Sequence, residues 1–483
     1  MTVRIYLLNI LIITKKYDKI INQNKCEVKA LSEKTIAAIS TPAGEGGIGV
    51  IRISGNDAVN IANKVFKTAN GVPLTDLAGY SAAFGFVYDK DEQIDEAVAT
   101  VFLEPKSYTG ENVCEISCHG GQFVTSAVLR AVLSAGAVMA APGEFTKRAF
   151  LNGKLDLIKA ESVMGLISAK SREELRIQLA AKKGKVSEEI EKIEAALLEL
   201  SADFAAYSDY PDEDLPELSM ENFNRLITFA ESELSKLLST FDSGKVLREG
   251  VTTAIVGKPN VGKSTLMNML SKEKRSIVTD IAGTTRDVIE NTVNFAGLNL
   301  ILADTAGIRQ TEDTVEGVGV ELAKERLSSA QLVLAVFDSS EELDNNDKEI
   351  LSLLSPDNTV IVLNKTDKAK RIDEELFVCF KTVYISAKNS EGEEELEKAV
   401  REITVADSID PAAAVLLSER QRDLVEKAHT AVLEAKNMLS LGFTIDAVEV
   451  CVEDALSILY TLSGKRVTNE VADEVFRRFC VGK

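Results

Sequence analysis

The stretch from Gly257 to Ser264 reads Gly-Lys-Pro-Asn-Val-Gly-Lys-Ser, which is the spacing of a phosphate-binding P-loop. Before it, Val251–Val256 is apolar and rich in β-branched residues, and after it Thr265–Leu270 has helical spacing. A P-loop needs this order of strand, loop and helix, because backbone N–H groups and the helix N-terminus together surround a phosphate. The sequence predicts that Lys263 reaches the β- and γ-phosphates and that Ser264 ligates Mg²⁺. An ordinary glycine turn would explain neither side chain.

Four more segments follow the P-loop in the order that a GTPase requires, at 283–287 (Gly-Thr-Thr-Arg-Asp), 304–307 (Asp-Thr-Ala-Gly), 364–367 (Asn-Lys-Thr-Asp) and 386–388 (Ser-Ala-Lys). The carboxylate of Asp367 can accept hydrogen bonds from guanine N1–H and the exocyclic amine, which adenine does not offer. A surface turn would explain 364–367 on its own, but not in this order behind a P-loop. The sequence therefore predicts a GTPase.

These segments predict particular contacts with GTP. Asp304 would hold the Mg²⁺ shell, and the Gly307 N–H would meet the γ-phosphate. Asn364 would brace the segment 364–367, the guanine loop, in which the stem of Lys365 would cover the base. The Ala387 N–H would meet guanine O6. The GTP contacts predicted from the P-loop and these segments are Asn260, Val261, Gly262, Lys263, Ser264, Thr265, Gly283, Thr284, Thr285, Asp304, Thr305, Ala306, Gly307, Asn364, Lys365, Thr366, Asp367, Ser386, Ala387 and Lys388.

Ile308 follows Gly307 at the position where many GTPases carry a glutamine that orients the attacking water. An apolar side chain cannot orient water. Another group must therefore position the water and neutralise the charge that develops on the phosphate.

The chain has 483 residues, which predicts roughly two to four domains. Its six cysteines are scattered without paired metal-ligand spacing, which favours a reducing cytosol and a cytoplasmic protein. The formal net charge of −20 opposes nonspecific binding to a polyanion. An RNA partner would need a local basic patch or a second protein.

Residues 1–32 predict an N-terminal extension outside the folded domains. Ile5–Ile13 is nearly all apolar, but it is shorter than the roughly 18 residues that span a membrane, and no small-residue cleavage site follows closely. A signal sequence is the alternative. We expect a chain that begins near Leu31 to keep its nucleotide chemistry.

Residues 33–152 mix strand and helix patterns and predict a first α/β domain. Alternation puts Cys114, Ile116 and Cys118 on one face of a strand, which predicts core residues rather than metal ligands. His119 follows directly. It suits either a catalytic base or, as the simpler interpretation, a cap for the next helix.

Helical periodicity marks the segments 153–247 and 405–483, on either side of a predicted GTPase domain at 248–404. Ile190 and Ile193, for example, fall on one apolar stripe. Because the ends of a doubly wound α/β domain lie close together, such a domain can be inserted into a loop of another. We expect the two helical segments to pack together, so the predicted fold class is multidomain, α/β plus all-α.

Taken whole, the sequence resembles the MnmE (TrmE) family of tRNA-modification GTPases over Thr35–Lys483. Besides the GTPase segments, the resemblance rests on 41–55 (TPAGEGGIGVIRISG), 107–121 (SYTGENVCEISCHGG), 142–156 (PGEFTKRAFLNGKLD) and 479–483 (FCVGK). It implies an N-terminal folate-binding domain that dimerises, a helical domain built from two chain segments and an inserted P-loop GTPase domain. It also implies that the protein acts with the FAD-dependent MnmG to add an aminomethyl or carboxymethylaminomethyl group at C5 of the wobble uridine of certain tRNAs.

The same resemblance implies which groups replace the missing glutamine. The implied K⁺ ligands are the side chains of Asn260 and Thr284 and the carbonyls of Thr279 and Ile281. The resemblance also extends the implied GTP contacts to Thr279, Asp280, Ile281 and Ala282. The implied Mg²⁺ ligands are Ser264 and Thr285. Glu316 would organise the attacking water, although without the resemblance a solvated acid in a loop is the simpler interpretation.

For a one-carbon donor, the 5-formyl or 5,10-methylene form of tetrahydrofolate, the implied contacts are Arg52, Glu115, Lys154 and Lys483. An arginine or lysine can pair with the glutamate tail of folate, and a glutamate can accept from the amino-pyrimidine edge of the pterin. Cys480 is implied as a catalytic thiol toward the uridine. Packing on a helical stripe with Phe476 and Phe479 is the alternative interpretation for Cys480.

Two other classes of function stay open on the sequence alone. A ribosome-assembly GTPase would share the GTPase segments, but it would not need Arg52, Glu115 or the cysteine-containing tail. A purely regulatory GTPase would use its flanking domains only to dimerise. Binding of tetrahydrofolate would distinguish both classes from an MnmE-like function. The resemblance also implies a homodimer that forms a heterotetramer with MnmG, without a membrane partner.

Overall fold

The computed structural model describes residues 34–209, 220–271, 292–302, 327, 330–404, 410, 413–477 and 479–482. Within these ranges, no helix is long and apolar enough to cross a membrane. The N-terminal extension and several predicted site residues lie outside the described residues. These site residues are Thr279, Asp280, Ile281, Ala282, Gly283, Thr284, Thr285, Asp304, Thr305, Ala306, Gly307, Glu316 and Lys483.

The chain divides into two compact units. The first takes in Met1–Met164, Ala181–Leu238 and Ser418–Lys483, and the second takes in Gly165–Ala180 and Ser239–Leu417. The chain thus leaves the first unit and returns to it twice. The longer excursion, Ser239–Leu417, contains the predicted GTPase domain, as expected where one domain is inserted into another.

A seven-stranded sheet forms the centre of the first unit. Its strands are β1 (Ile36–Ile39), β2 (Gly46–Ser54), β3 (Phe66–Thr68), β4 (Ser81–Asp89), β5 (Glu92–Phe102), β6 (Val113–Gly120) and β7 (Val138–Met139), in the order β3-β4-β5-β6-β2-β1-β7. Neighbours pair antiparallel except β1 and β7, which are parallel. Helices α1 (Ala58–Val65) and α2 (Gln122–Ser134) share one apolar core with the strands.

Strand β6 alternates as the sequence predicts. Cys114, Ile116 and Cys118 are buried in the core, and Glu115 and Ser117 lie half-buried on the opposite face. Burial raises the pKa of Cys114 to about 12 and that of Cys118 to about 11. The prediction of core cysteines is confirmed, and the described ranges hold no group of three or more His, Cys, Asp or Glu suited to a metal ion.

His119 does not cap helix α2, so the capping prediction is wrong. That helix begins at Gln122 with Gly121 as its N-cap and has no side-chain capping bond. Instead, the exposed His119 ring places Nδ1 2.7 Å from Oδ1 of Asp95, and the His119 backbone N–H donates to Oδ2 of Asp95 at 2.8 Å. A carboxylate on the neighbouring strand β5 holds this histidine, and the local sequence gives no sign of it.

Five helices lie between the two sheets in chain order. They are α3 (Glu144–Leu151), α4 (Leu157–Ser168), α5 (Arg172–Lys182), α6 (Lys185–Asp209) and α7 (Met220–Glu249). The apolar stripe predicted from the sequence is buried on α6, where Ile190, Ile193 and Leu197 are fully inaccessible to solvent. Such a buried stripe, rather than helix propensity, stabilises a helix of this length.

A six-stranded sheet forms the centre of the second unit. Its strands are β8 (Val251–Val256), β9 (Thr292–Phe295), β10 (Leu298–Leu302), β11 (Leu332–Asp338), β12 (Thr359–Asn364) and β13 (Lys381–Tyr384), in the order β13-β12-β11-β8-β10-β9. All pairs are parallel except β9 with β10. The flanking helices are α8 (Lys263–Leu270), α9 (Asn345–Ser352) and α10 (Glu393–Ile403). In such sheets, ligands bind at the carboxyl ends of the parallel strands.

The last helices, α11 (Glu419–Ser440), α12 (Ile445–Ser463) and α13 (Asn469–Arg477), belong to the first unit. Helix α12 packs along α6. The buried carboxylate of Glu194 on α6 accepts from the Ser463 hydroxyl at 3.2 Å and pairs with Lys465. The two helical segments therefore pack together, and the predicted fold class is confirmed.

Candidate functional site

The predicted P-loop joins the carboxyl end of β8 to the start of α8. Gly257 has a φ of 146° and Gly262 has a φ of 101°, and residues other than glycine rarely adopt such positive values. A Cβ on Gly257 would lie 2.3 Å from the Val336 carbonyl oxygen, and one on Gly262 would lie 2.2 Å from Nδ2 of Asn364. Close neighbours as well as the backbone conformation therefore require both glycines.

Lys263 opens α8 and directs its side chain back to the loop. Its Nζ donates to the carbonyl oxygens of Gly257 at 2.7 Å and of Lys258 at 2.6 Å. Burial lowers the pKa of this ammonium. A phosphate beside it would supply the negative charge that favours the protonated form.

Asn364, the last residue of β12, connects three of the GTPase segments. Its Nδ2 donates to the Val261 carbonyl oxygen in the P-loop at 2.8 Å. Its Oδ1 accepts from the Ala387 N–H at 3.0 Å, the same N–H that the sequence predicts to meet guanine O6. The side chain is buried, so both contacts are shielded from water.

The rest of the guanine loop is held on both sides. Lys365 has a φ of 65° and lies with Nζ 2.5 Å from Oδ2 of Asp338. Asp367 accepts from the Ser386 hydroxyl at 3.0 Å through Oδ1. The structure thus brings the P-loop, 364–367 and 386–388 together at one edge of the second sheet.

Lys258, within the P-loop, has an ionic role that the sequence did not indicate. Its Nζ lies 2.8 Å from Oδ2 of Asp344 and 2.7 Å from Oδ2 of Asp347. These two aspartates form a capping box at the start of α9. Burial lowers the pKa of Lys258, but the hydrogen bonds to both carboxylates outweigh it and raise that pKa. The Asp-x-x-Asp spacing predicts the start of a helix, but it does not predict that Lys258 pairs with both aspartates.

In the first unit, Arg52 and Glu115 face each other across β2 and β6. Arg52 Nε lies 2.7 Å from Oε1 of Glu115, and Nη1 donates to the Gly482 carbonyl oxygen at 3.2 Å. The guanidinium lies 5.5 Å from the ring centroid of Tyr108 and 5.7 Å from that of Phe145. The sequence gives no sign that either ring lies beside Arg52, although each belongs to a segment that carries the family resemblance.

Two more predicted residues are described in this unit. Lys154 is exposed and its Nζ donates to the Pro105 carbonyl oxygen at 3.0 Å. Cys480 is exposed beyond the end of α13, and its carbonyl oxygen accepts from the Gly143 N–H at 3.3 Å. Since Phe476 and Phe479 are buried and the Cys480 thiol is not, the packing interpretation of Cys480 is wrong.

Comparisons with known proteins match nearly the whole chain. Two family models match the chain, the GTP-binding protein TrmE N-terminus over residues 35–154 and the MnmE helical domain over residues 157–480. The chain is 42% identical over 451 residues to a tRNA modification GTPase MnmE of Lactococcus lactis, covering 93% of this chain and 98% of the relative. It is 42% identical over 458 residues to that of Geobacter sulfurreducens, covering 93% and 99%. This chain belongs to the MnmE family.

The TrmE N-terminus match includes Arg52, Glu115 and Lys154, and the MnmE helical match spans the P-loop and the guanine loop. Among solved structures, the G domain of the T. maritima FeoB iron transporter aligns with 32% of this MnmE-family chain and 98% of its own, at 26% identity and a TM-score of 0.23.

Proposed function

We propose that this protein is a GTPase of tRNA modification that binds GTP at the P-loop edge of its second sheet. The observation that supports this most directly is the Asn364 carboxamide, which contacts both Val261 and Ala387. A phosphate loop and the guanine-selective Asp367 then belong to one connected arrangement of hydrogen bonds. Relatives named tRNA modification GTPase match nearly the whole chain, which supports the same activity here.

We further propose a division of labour along the chain. Residues 33–152 would bind folate and dimerise, residues 248–404 would hydrolyse GTP, and residues 153–247 and 405–483 would form the helical domain. With the FAD-dependent MnmG, the protein would add an aminomethyl or carboxymethylaminomethyl group at C5 of the wobble uridine of certain tRNAs. The proposed assembly is a homodimer within a heterotetramer with MnmG, in the cytoplasm.

The surroundings of Arg52 fit a tetrahydrofolate, which when bound would supply the one-carbon unit. Glu115 can accept from the pterin edge, Arg52 holds that carboxylate from 2.7 Å away, and a lysine can pair with a carboxylate of the folate tail. The half-buried ring of Tyr108 beside Arg52 offers flat apolar surface to a pterin, and the fully buried ring of Phe145 lies against the guanidinium from inside the core. Lys154 and Lys483 complete the proposed set, and Cys480 is the proposed thiol for the uridine.

The proposed ion ligands belong to the P-loop and the segment that follows it. Asn260 has a φ of 64° and is exposed, and Ser264 is exposed at the start of α8, so both side chains can reach a bound ion. The proposed Mg²⁺ ligands are Ser264 and Thr285. The proposed K⁺ ligands are Asn260, Thr279, Ile281 and Thr284. Glu316 is the proposed residue that orients the attacking water.

The test is GTP hydrolysis by the full chain in potassium chloride and in sodium chloride at equal ionic strength. We expect potassium to stimulate the wild-type protein and to have no such effect on Asn260→Gly, which keeps the positive φ but removes the carboxamide. Equal wild-type rates in the two salts would overturn the Asn260 assignment. No hydrolysis in either salt would overturn the GTPase proposal.

The tRNA chemistry has its own test. Mass spectrometry of wobble uridines should show loss of the C5 group in a strain that lacks this protein, and its return when the gene is supplied. Unchanged uridines would favour a ribosome-assembly or regulatory GTPase instead.

A further inference from the structure

Lys365, in the guanine loop, pairs with a buried carboxylate that belongs to none of the GTPase segments. Its Nζ lies 2.5 Å from Oδ2 of Asp338, the last residue of β11. The Asp338 side chain is 4% exposed, and that of Lys365 is 26% exposed. Such a short contact to a nearly inaccessible carboxylate holds the tip of the lysine far more firmly than a surface ion pair would.

The strand register explains why the carboxylate lies there. Strands β11 and β12 are parallel, and Asp338 stands directly opposite Asn364. Lys365 is the next residue of the chain. Asp338 therefore lies beside the first residues of the guanine loop, at the edge of the sheet where ligands bind.

The two oxygens of Asp338 have separate partners. Oδ1 accepts from the Ser340 N–H at 2.9 Å and from the Ser340 hydroxyl at 2.6 Å, which fixes the plane of the carboxylate. Oδ2 is directed at Lys365. Burial raises the pKa of Asp338, but the hydrogen bonds from Lys365 and Ser340 outweigh it and hold that pKa below its ordinary value. The group is therefore charged at neutral pH.

Lys365 needs such a partner to have a defined direction. A lysine stem has four flexible carbons, and its ammonium is strongly hydrated when it is not paired. The backbone of Lys365 is already in the left-handed region, at a φ of 65°. With both ends held, the stem between them has little freedom left, so a base that packs on it finds a preformed surface.

We propose that Asp338 is a positioning residue for guanine nucleotides, which holds the Lys365 ammonium so that the stem lies over the face of the base. This inference rests on the proposed GTP site. Asp338 acts through Lys365 and does not itself touch the nucleotide.

The main variant is Asp338→Asn, because an asparagine keeps an acceptor for Ser340 while it removes the charge that holds Lys365. We expect the Kd of the full chain for GDP and for GTP to rise roughly tenfold, with kcat at saturating GTP within about twofold of the wild-type value. The ratio of GDP to IDP affinity should not change, because the stem covers the face of the base and not its edge. Asp373→Asn, an exposed aspartate of the same unit, is the matched control.

A double-mutant cycle separates positioning from a merely structural role. Lys365→Met should weaken GDP binding about as much as Asp338→Asn does. The double variant should bind GDP no more weakly than Lys365→Met alone. Asp338→Glu keeps the charge, so it should bind GDP within about threefold of the wild-type protein.

The failures are distinguishable. A wild-type chain that does not bind GDP would overturn the GTP site itself. If the wild-type chain binds GDP, two results would overturn the role of Asp338 alone. They are an unchanged Kd for GDP in Asp338→Asn and additive losses of GDP affinity in the double variant. If Asp338→Asn does not fold, the GDP affinities of Asp338→Glu and Lys365→Met are the test. Unchanged GDP affinity in Lys365→Met would overturn the role of Asp338.

Discussion

The side-chain amide of Asn364 donates to the carbonyl oxygen of Val261 at 2.8 Å and so fastens the guanine loop to the P-loop. The same side chain accepts from the Ala387 N–H at 3.0 Å. These segments lie far apart in the chain, and a single buried carboxamide joins them. An unpaired buried polar group costs about 1–3 kcal/mol, so the loss of this side chain would be felt at both contacts.

Asn364→Ala should therefore weaken GTP binding by at least about tenfold and lower the free energy of unfolding by about 2 kcal/mol. Titration calorimetry with GTP and urea denaturation measure the two effects. Asn346→Ala replaces an exposed asparagine of the same unit and should change neither. Wild-type affinity in Asn364→Ala would mean that the three segments do not depend on this side chain.

Gly262→Ala should abolish measurable nucleotide binding. Its Cβ would lie 2.2 Å from Nδ2 of Asn364, and its φ of 101° disfavours any side chain. Gly442→Ala is the control, because Gly442 has a φ of 78° but no neighbour within 4 Å of an added Cβ. Gly442→Ala should cost only the backbone strain of a positive φ, about 1–2 kcal/mol, and the variant should bind GTP normally. Equal nucleotide binding by the two variants would show that the clash with Asn364 is unimportant.

Local patterns predicted much of this fold. The strand before the P-loop, Val251–Val256, is observed with those bounds, because a β-branched apolar run beside a glycine loop has few alternatives. The alternation of β6 likewise placed Cys114 and Cys118 correctly in the core. Such predictions succeed where the residues that decide the structure are close together in the sequence.

Contacts between distant residues had no such signal. Arg52 meets the Gly482 carbonyl across 430 residues, and Lys365 meets Asp338 across 27. The sequence favours a capping role for His119 at the helix beside it, because nothing near it shows that Asp95 on another strand contacts its ring. Family resemblance implies Arg52 and Glu115 as two of the folate contacts but not their ion pair, whereas Asp338 lies outside every segment that carries the resemblance and needs the strand register.

Glu115→Gln should weaken tetrahydrofolate binding while GTP hydrolysis persists. The amide keeps the shape of the side chain but removes the charge that pairs with Arg52 Nε at 2.7 Å. A charge-assisted hydrogen bond is about twice as strong as a neutral one, so we expect roughly a tenfold rise in the folate Kd. Glu92→Gln, on an exposed part of the same sheet, is the control. Unchanged folate affinity in Glu115→Gln would exclude this carboxylate from the site.

The pairing of His119 with Asp95 predicts a pH-dependent contribution to stability. The hydrogen bond and the charge of Asp95 raise the pKa of His119 above its ordinary 6.5. A raised folded-state pKa means that the stabilisation is fully present below pH 6.5 and is lost as the pH rises through the folded value. The difference in urea midpoint between the wild-type protein and Asp95→Asn should therefore be largest in mild acid and shrink toward alkaline pH. A difference that does not vary with pH would show that only the uncharged backbone contact matters.

The cysteines should separate sharply in their reaction with iodoacetamide. Cys379 and Cys480 are exposed, whereas Cys114 and Cys118 are buried, with pKa values raised to about 12 and about 11. Only the thiolate reacts, so at pH 7.5 the two buried thiols should label at least about a hundredfold more slowly than the exposed pair. Peptide mass spectrometry of the native chain measures each site, and unfolding in urea should equalise them. Cys480→Ser tests the chemistry of this exposed thiol. Loss of the wobble uridine group with unchanged GTP hydrolysis would mean that the reaction requires the thiol, and full modification would exclude Cys480 from the reaction.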